Sequence, residues 1–268
     1  MASRKSSQAV DRDAFLAANP RCCYCNGSRA TVEIDHAPAR ICFRRKQGPE
    51  GFEFPSCSEC NRAVAKSEQV AALYIRMFDQ NDANFDGDDL VKLVTGVANN
   101  SSEAMPILPE QRYTTLGNPI MDRTATIPPG AHPHIELFAT KMLYAMFYRV
   151  SGRFAGPGHR RMIDWAQLGT AKADFLRGNA ERWFDAEQTG NRRNVDLGDQ
   201  FHYRHGYNAA HGYIGMTMLF GQSLCFFCVL GPASGLGTLR PRPAGYKTIR
   251  QIGESIRISN TRQKRKSR

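Results

Sequence analysis

Residues 22 to 68 read CCYCNGSRATVEIDHAPARICFRRKQGPEGFEFPSCSECNRAVAKSE, and this stretch decides how the N-terminal part of the chain folds. It holds two Cys-x-x-Cys pairs, Cys22 with Cys25 and Cys57 with Cys60, separated by 31 residues. Each pair lets two thiolates of one tight knuckle reach a single ion, and two knuckles complete a tetrahedral Cys₄ zinc site. Disulfides are the alternative, and they suit an oxidising compartment. Cys23 sits inside the first knuckle, but Cys23-x-Cys25 is a poorer chelate, so Cys23 is read as a bystander. Between the knuckles the run TVEI is extended in character and ends in Asp35-His36. After the second pair, apolar residues recur at helical spacing from Val70 to Phe78.

A structural zinc ribbon needs nothing special between its knuckles, so the Asp-His pair followed by Pro38 marks chemistry. The order C-x-x-C, then I-D-H-A-P, then F-P-x-C-x-x-C-N resembles the HNH endonucleases over about residues 20–80. That resemblance implies an α+β, ββα-metal fold in which two strands and a helix hold one metal ion. It implies a metal-dependent endonuclease that hydrolyses phosphodiester bonds in DNA and leaves 5′-phosphate and 3′-hydroxyl ends. Carried over residue by residue, Asp35 becomes a ligand of the catalytic ion, His36 the general base and Asn61 a second ligand of that ion, either Mg²⁺ or another divalent metal. Structural Zn²⁺ would sit on Cys22, Cys25, Cys57 and Cys60. The residue types agree with that chemistry, since an imidazole titrates near neutral pH and hard oxygen donors suit a divalent cation. The family's middle Asn has no counterpart in GPEGFEFPSC, which offers Glu50, Phe52 and Glu53 instead. Glu68 lies two helical turns after Asn61, on the same helix face, within reach of the site.

Each of these residues has a plainer reading beside the sharp one. Asp35-His36 alone is a common surface pair, and Asn61 is a favoured helix cap. Arg40, Arg44, Arg45 and Lys46 form a basic run of the kind that is often only a solvated face, yet beside Asp35-His36 it reads as a phosphate-binding strip. The second class of function is therefore a catalytically silent zinc-ribbon module that binds nucleic acid. An RNA substrate is the third reading, because no base-reading motif is visible.

The chain has 268 residues, 36 Lys plus Arg against 25 Asp plus Glu, and a formal charge of +11. Such a balance favours a polyanionic partner without choosing between nucleic acid and a membrane surface; the resemblance implies nucleic acid, foremost DNA. The first residues, MASRKSSQAVDRD, lack a signal-peptide core, which gives a cytoplasmic expectation. Residues 212–231 are uncharged and long enough for a bilayer, but Gly221-Gln222-Ser223 interrupts them, so two buried strands and a tight turn are expected, with no membrane span. Cys225 and Cys228 lie three apart on one of these strands and are expected to face opposite ways, without a metal.

Four parts follow: 1–80, the HNH-like zinc-bound nuclease module; 81–195, mainly helical; 196–260, rich in β-structure and folded as a small antiparallel sheet; and 261–268, a basic tail. Residues 134–150 and 162–187 are expected to be helical, with Leu137, Met142, Ala145, Met146 and Phe147 as core positions of the first. FHYRHGY, GYIGMTMLF and SLCFFCVLG are expected strands, with His202 and His205 partly exposed. His132 and His134 are expected at the surface, and Pro109, Pro119 and their neighbours in a link. Arg262, Lys264, Arg265, Lys266 and Arg268 form a second phosphate arm or a localisation signal. The region after residue 80 is expected to serve target choice, control or homodimer formation.

Overall fold

Asp11 accepts hydrogen bonds from the backbone N–H groups of Asp13 and Ala14 and so starts the first helix, α1 (Arg12–Ala18). The computed structural model describes residues 11–79, 87–107, 126–193, 195–236 and 244–266. Pro109, Pro119 and Arg268 lie outside the described residues, as do the side chains of Arg262, Lys264, Arg265 and Lys266.

The stretch quoted above folds as strand, strand, helix. β1 (Glu33–His36) pairs antiparallel with β2 (Glu53–Ser56), and α2 (Ser58–Phe78) follows at once. α2 buries Val64, Val70, Ala71, Leu73, Tyr74 and Phe78 at helical spacing. α3 (Gly87–Asn100) packs on α2 through Leu93 and Val97.

α4 (His132–Ser151) begins with Pro133 in its first turn, where the missing N–H costs nothing, and ends at Gly152, whose φ of 65° is the left-handed cap that glycine takes most readily. Nearly every position from His134 to Phe147 is buried, the mark of a helix enclosed on all sides. One side meets α2 and the other meets β3 (His159–Gln167) and a later strand of the same sheet.

α5 (Ala171–Trp183) is capped by the Thr170 hydroxyl. β4 (Gln188–Thr189), β5 (Phe201–Asn208), β6 (Tyr213–Phe220) and β7 (Leu224–Pro232) follow, then the short α6 (Ala233–Leu236), β8 (Ala244–Gly245) and α7 (Ile249–Lys266). The sheet order is β4-β5-β6-β7-β3-β8, with every neighbouring pair antiparallel. β6 and β7 are the expected pair of buried strands, and Gly221, at φ 51°, makes the turn between them. No helix among the described residues is long and apolar enough to cross a membrane.

Three expectations are corrected. Met162–Gln167 is strand, because its residues pair with Leu224–Val229 across the sheet, and helix starts only at Ala171. His134 is buried rather than superficial, with its ring between the Ser67 hydroxyl and the Glu103 carboxylate. Thr261 to Lys266 continue α7 as helix.

The main hydrophobic core contains Cys22 and Phe54 from the first part of the chain, Phe138 from the second and Phe226 from the third. Edge-on aromatic contacts join them: Phe52 stands 5.7 Å from Phe201 and 5.3 Å from Tyr203, and Phe43 stands 5.9 Å from Phe201. A smaller core lies on the other sheet face, under α5. Cys228 belongs to the first core and Cys225 to the second, so the two thiols do face opposite ways.

Candidate metal centre and active site

The first knuckle is shaped by backbone. Asn26 and Gly27 adopt left-handed φ of 58° and 66°, which turns the chain so that the Gly27 N–H reaches the Cys22 carbonyl at 3.1 Å. The Tyr24 N–H points at the Cys22 sulfur, 3.4 Å away. The second knuckle is the start of α2, with Cys57 as its N-cap and Cys60 in its first turn. A hydrogen bond from the Cys23 N–H to the Pro55 carbonyl, 3.0 Å, ties the first knuckle to β2.

The Sγ atoms of Cys22, Cys25, Cys57 and Cys60 all lie within 4.8 Å of one another, and all four residues are buried. Four sulfurs at about 2.3 Å from one zinc stand about 3.8 Å apart, so these thiols fit a zinc ion. The electrostatics point the same way. Without a cation the thiols share protons: hydrogen bonding to Cys25 foremost pushes Cys22 up to about 12, while hydrogen bonds from Cys22 and Cys60 pull Cys25 far down. Several thiolates so close are stable together only around a cation. Cys23 stays out of the cluster, buried and with its thiol pushed up by desolvation.

Strand alternation turns Glu33 and Asp35 to the face of the hairpin that meets α2 and α4, and His36 to the other. Asn61, one residue after Cys60, donates its amide to the Glu33 carboxylate. Asp35 is buried, and its Oδ2 stands 2.7 Å from the Lys141 ammonium of α4. The same ammonium is bonded to Glu68 and donates to the His36 carbonyl at 3.3 Å. It also sits 5.7 Å from the centre of the Tyr24 ring. Lys141 is only 1% exposed. Burial opposes its charge, but Asp35 and then Glu68 more than offset this and hold its ammonium above the usual lysine range. Burial pushes the Glu68 carboxyl up to about 6, against the pull of Lys141.

His36 is half-buried, and Glu53, its direct partner across the hairpin, places a carboxylate oxygen 3.9 Å from Nε2. That is ion-pair reach rather than a hydrogen bond. Desolvation first, and then the charge of Arg40, hold the His36 imidazole below its ordinary range. Arg40 is exposed, in a 3₁₀ turn just past β1. Arg44 to Lys46 form a second such turn, in which Arg45 and Lys46 are exposed. This segment is anchored from elsewhere in the fold. Gln200 accepts from the Arg44 N–H at 3.0 Å, Arg192 donates to the Gly48 carbonyl at 3.0 Å, and Arg149 donates to the Gly51 carbonyl at 2.7 Å.

The expected divalent ion finds its carboxylate engaged: Asp35 already faces the Lys141 ammonium at 2.7 Å, while Asn61 bonds Glu33 through its N–H group and not through its Oδ1. Among the described residues the four cysteines form the single group of three or more His, Cys, Asp or Glu side chains placed to hold an ion. Asp35 and Glu68 carry two negative charges and Lys141 one positive, so a divalent cation joining them would meet a like charge at close range. As they stand, these residues do not fit a divalent ion on Asp35 and Asn61.

Of the residues singled out in the sequence, the four cysteines converge, and Asp35 and Glu68 meet through one partner. Lys141, Glu33 and the cross-strand role of Glu53 were missed. Lys141 did leave a signal, as the one charge between Glu136 and Arg149 in a run that is otherwise apolar or hydroxyl-bearing. Compared with protein-family models, with curated proteins and with solved structures, the chain finds no match.

Proposed function

We propose that the chain is an HNH-type endonuclease that hydrolyses phosphodiester bonds in nucleic acid, foremost DNA, with His36 as general base. The observation that carries this reading is the setting of His36. It stands at the end of β1 in a strand-strand-helix unit clamped by four cysteines, with its ring turned away from the core, Glu53 opposite and Arg40 beside it. In this reading the Glu53 carboxylate, in ion-pair reach of Nε2, stabilises the imidazolium that forms when His36 takes a proton from the attacking water. The pentavalent charge faces Arg40, and Arg44, Arg45 and Lys46 hold flanking phosphates. Zinc on the four cysteines supplies structure, because it fixes the start of α2 against β2.

A second reading has its own observation. The pairing of Asp35 with a buried ammonium favours a zinc-clamped module that binds nucleic acid without cutting it. The test is cleavage of supercoiled plasmid and of a structured RNA by the purified, zinc-loaded protein, with and without Mg²⁺, beside His36→Ala of equal zinc content. Cleavage that disappears in His36→Ala supports the nuclease and identifies its substrate class. Equal cutting by the variant removes His36 from the mechanism, and salt-sensitive binding with no cutting makes the binding module the better account.

A further inference from the structure

We infer that Lys141 is the resident cation of this site: its ammonium takes up Asp35, the residue that the resemblance makes a ligand of the divalent ion, and it holds Asp35, Glu68 and the His36 backbone in one arrangement. The inference deepens the nuclease reading and rests on it for its catalytic meaning, while its geometry stands alone.

The position is built from three elements. β1 supplies Asp35 and the His36 carbonyl, α2 supplies Glu68, and α4 supplies the lysine. All three groups present oxygens, the donor type a hard cation draws around itself: Glu68 and the His36 carbonyl accept hydrogen bonds, and Asp35 pairs by charge at 2.7 Å. Lys141 reaches them from the middle of a helix whose neighbours Leu137, Phe138, Met142 and Ala145 are packed on every side. An ammonium buried to 1% exposure amid such neighbours is costly unless fully paired, and here it has two carboxylates, a carbonyl and an aromatic face.

A lysine has a chemical consequence that a metal ion lacks. It cannot leave, and it cannot coordinate a substrate oxygen or lower the pKa of a bound water as a Lewis acid does. Nor does it touch solvent, so it is a positioning residue. It neutralises Asp35, fixes the end of β1 through the His36 carbonyl and thereby sets the direction of the His36 ring. Hydrolysis at this centre then draws its electrostatic stabilisation from exposed arginines such as Arg40, and the zinc-loaded protein cuts without added divalent ion.

The experiment titrates Mn²⁺ into zinc-loaded protein and follows free Mn²⁺ by electron paramagnetic resonance. Mn²⁺ is a hard ion with no preference for the cysteine site, so it reports on the oxygen cluster. The wild type is expected to bind no Mn²⁺ in a saturable manner below millimolar concentration. Lys141→Ala is expected to gain one site at least about 100-fold tighter, because a like charge is gone and two carboxylates remain, and adding Asp35→Asn is expected to abolish it. A purely structural lysine would create no metal signal when removed, so a folded Lys141→Ala that gains no site overturns the inference. The wild-type arm decides even if Lys141→Ala does not fold: one saturable Mn²⁺ site in the wild type, lost in Asp35→Asn, also overturns it. Cleavage by the zinc-loaded wild type in EDTA, with zinc content unchanged, supports it further. If no cleavage occurs under any condition, the nuclease reading fails, and the Mn²⁺ result still decides whether Lys141 holds the cation position.

Discussion

Stripping zinc from the four cysteines should unfold far more than the first eighty residues. Structural zinc in small Cys and His sites contributes apparent free energies of about 10–16 kcal/mol, while whole domains are stable by only about 5–15 kcal/mol. Losing the ion therefore removes as much as the entire margin. The loss cannot stay local. Cys22, Cys25, Cys57 and Cys60 belong to the same core as Phe201, Phe220 and Phe226, and Phe43 and Phe52 pack directly on Phe201. The assay is thermal denaturation by near- and far-ultraviolet circular dichroism of zinc-loaded and chelator-treated protein, with the released zinc counted, and with Cys57→Ser as a second route. The expected outcome is loss of near-ultraviolet signal and of a cooperative transition for both parts of the chain together. Complete zinc removal that leaves the melting temperature within about 2 °C, a shift worth less than about 1 kcal/mol for a chain of this size, would refute the reasoning.

Other outcomes follow from the same geometry. Lys141→Ala should cost about 3–5 kcal/mol in a denaturant titration, since it leaves two buried carboxylates without a counter-ion. That deficit should shrink as pH falls from 8 to 5, because the Glu68 carboxyl, raised by burial, loses stability as pH rises and regains it once protonated; a pH-independent deficit would contradict the triad. Wild-type stability should fall between pH 7.5 and 5.5. The imidazoles of His36, His134, His159 and His205 are all held below their ordinary range, chiefly by burial, so their contribution is present above the unfolded pKa and lost below it. His134→Gln should flatten part of that slope, and a melting temperature constant over the window would argue against it. Replacing Arg45 and Lys46 by Ala should lower the slope of log affinity for duplex DNA against log salt by about 2, since each phosphate contact contributes about 0.9; an unchanged slope would remove these residues from the interface. Burial pushes the Cys225 thiol up to about 12 and Cys228 higher still, so in folded protein neither should react with a thiol reagent at pH 8.

What the sequence made legible was local. Two thiols three residues apart announce a chelating knuckle, and the run from Val70 to Phe78 announces a helix by its period. The paired strands at 213–220 and 224–232 follow from β-forming residues around one turn. The misreadings at 162–167 and at His134 are of long range. Met162–Gln167 becomes strand by pairing with Leu224–Val229 of β7, far along the chain, an influence absent from its own composition. His134 is drawn inward by Ser67, 67 residues earlier, and Lys141 meets Glu68 across 73 residues and the His36 carbonyl across 105. The ammonium beside Asp35 comes from a distant helix, a partner that the neighbours of Asp35 in sequence do not reveal. Glu53 was visible as a residue but not as the partner of His36, since register is a property of the pair.

Because α4 lies between the zinc-clamped unit and the sheet, the order of synthesis has a consequence of its own. At about 5–20 residues per second, the ribosome places roughly 80 residues, or about 4–16 s, between Cys60 and Lys141, and a comparable interval passes before Phe226 emerges. During that time Asp35 and Glu68 have no counter-ion, and Phe43 and Phe52 have no sheet to pack on. A chain released early would carry two uncompensated carboxylates and an uncovered aromatic face, so the hairpin and its helix reach their final packing only once the later strands have been made.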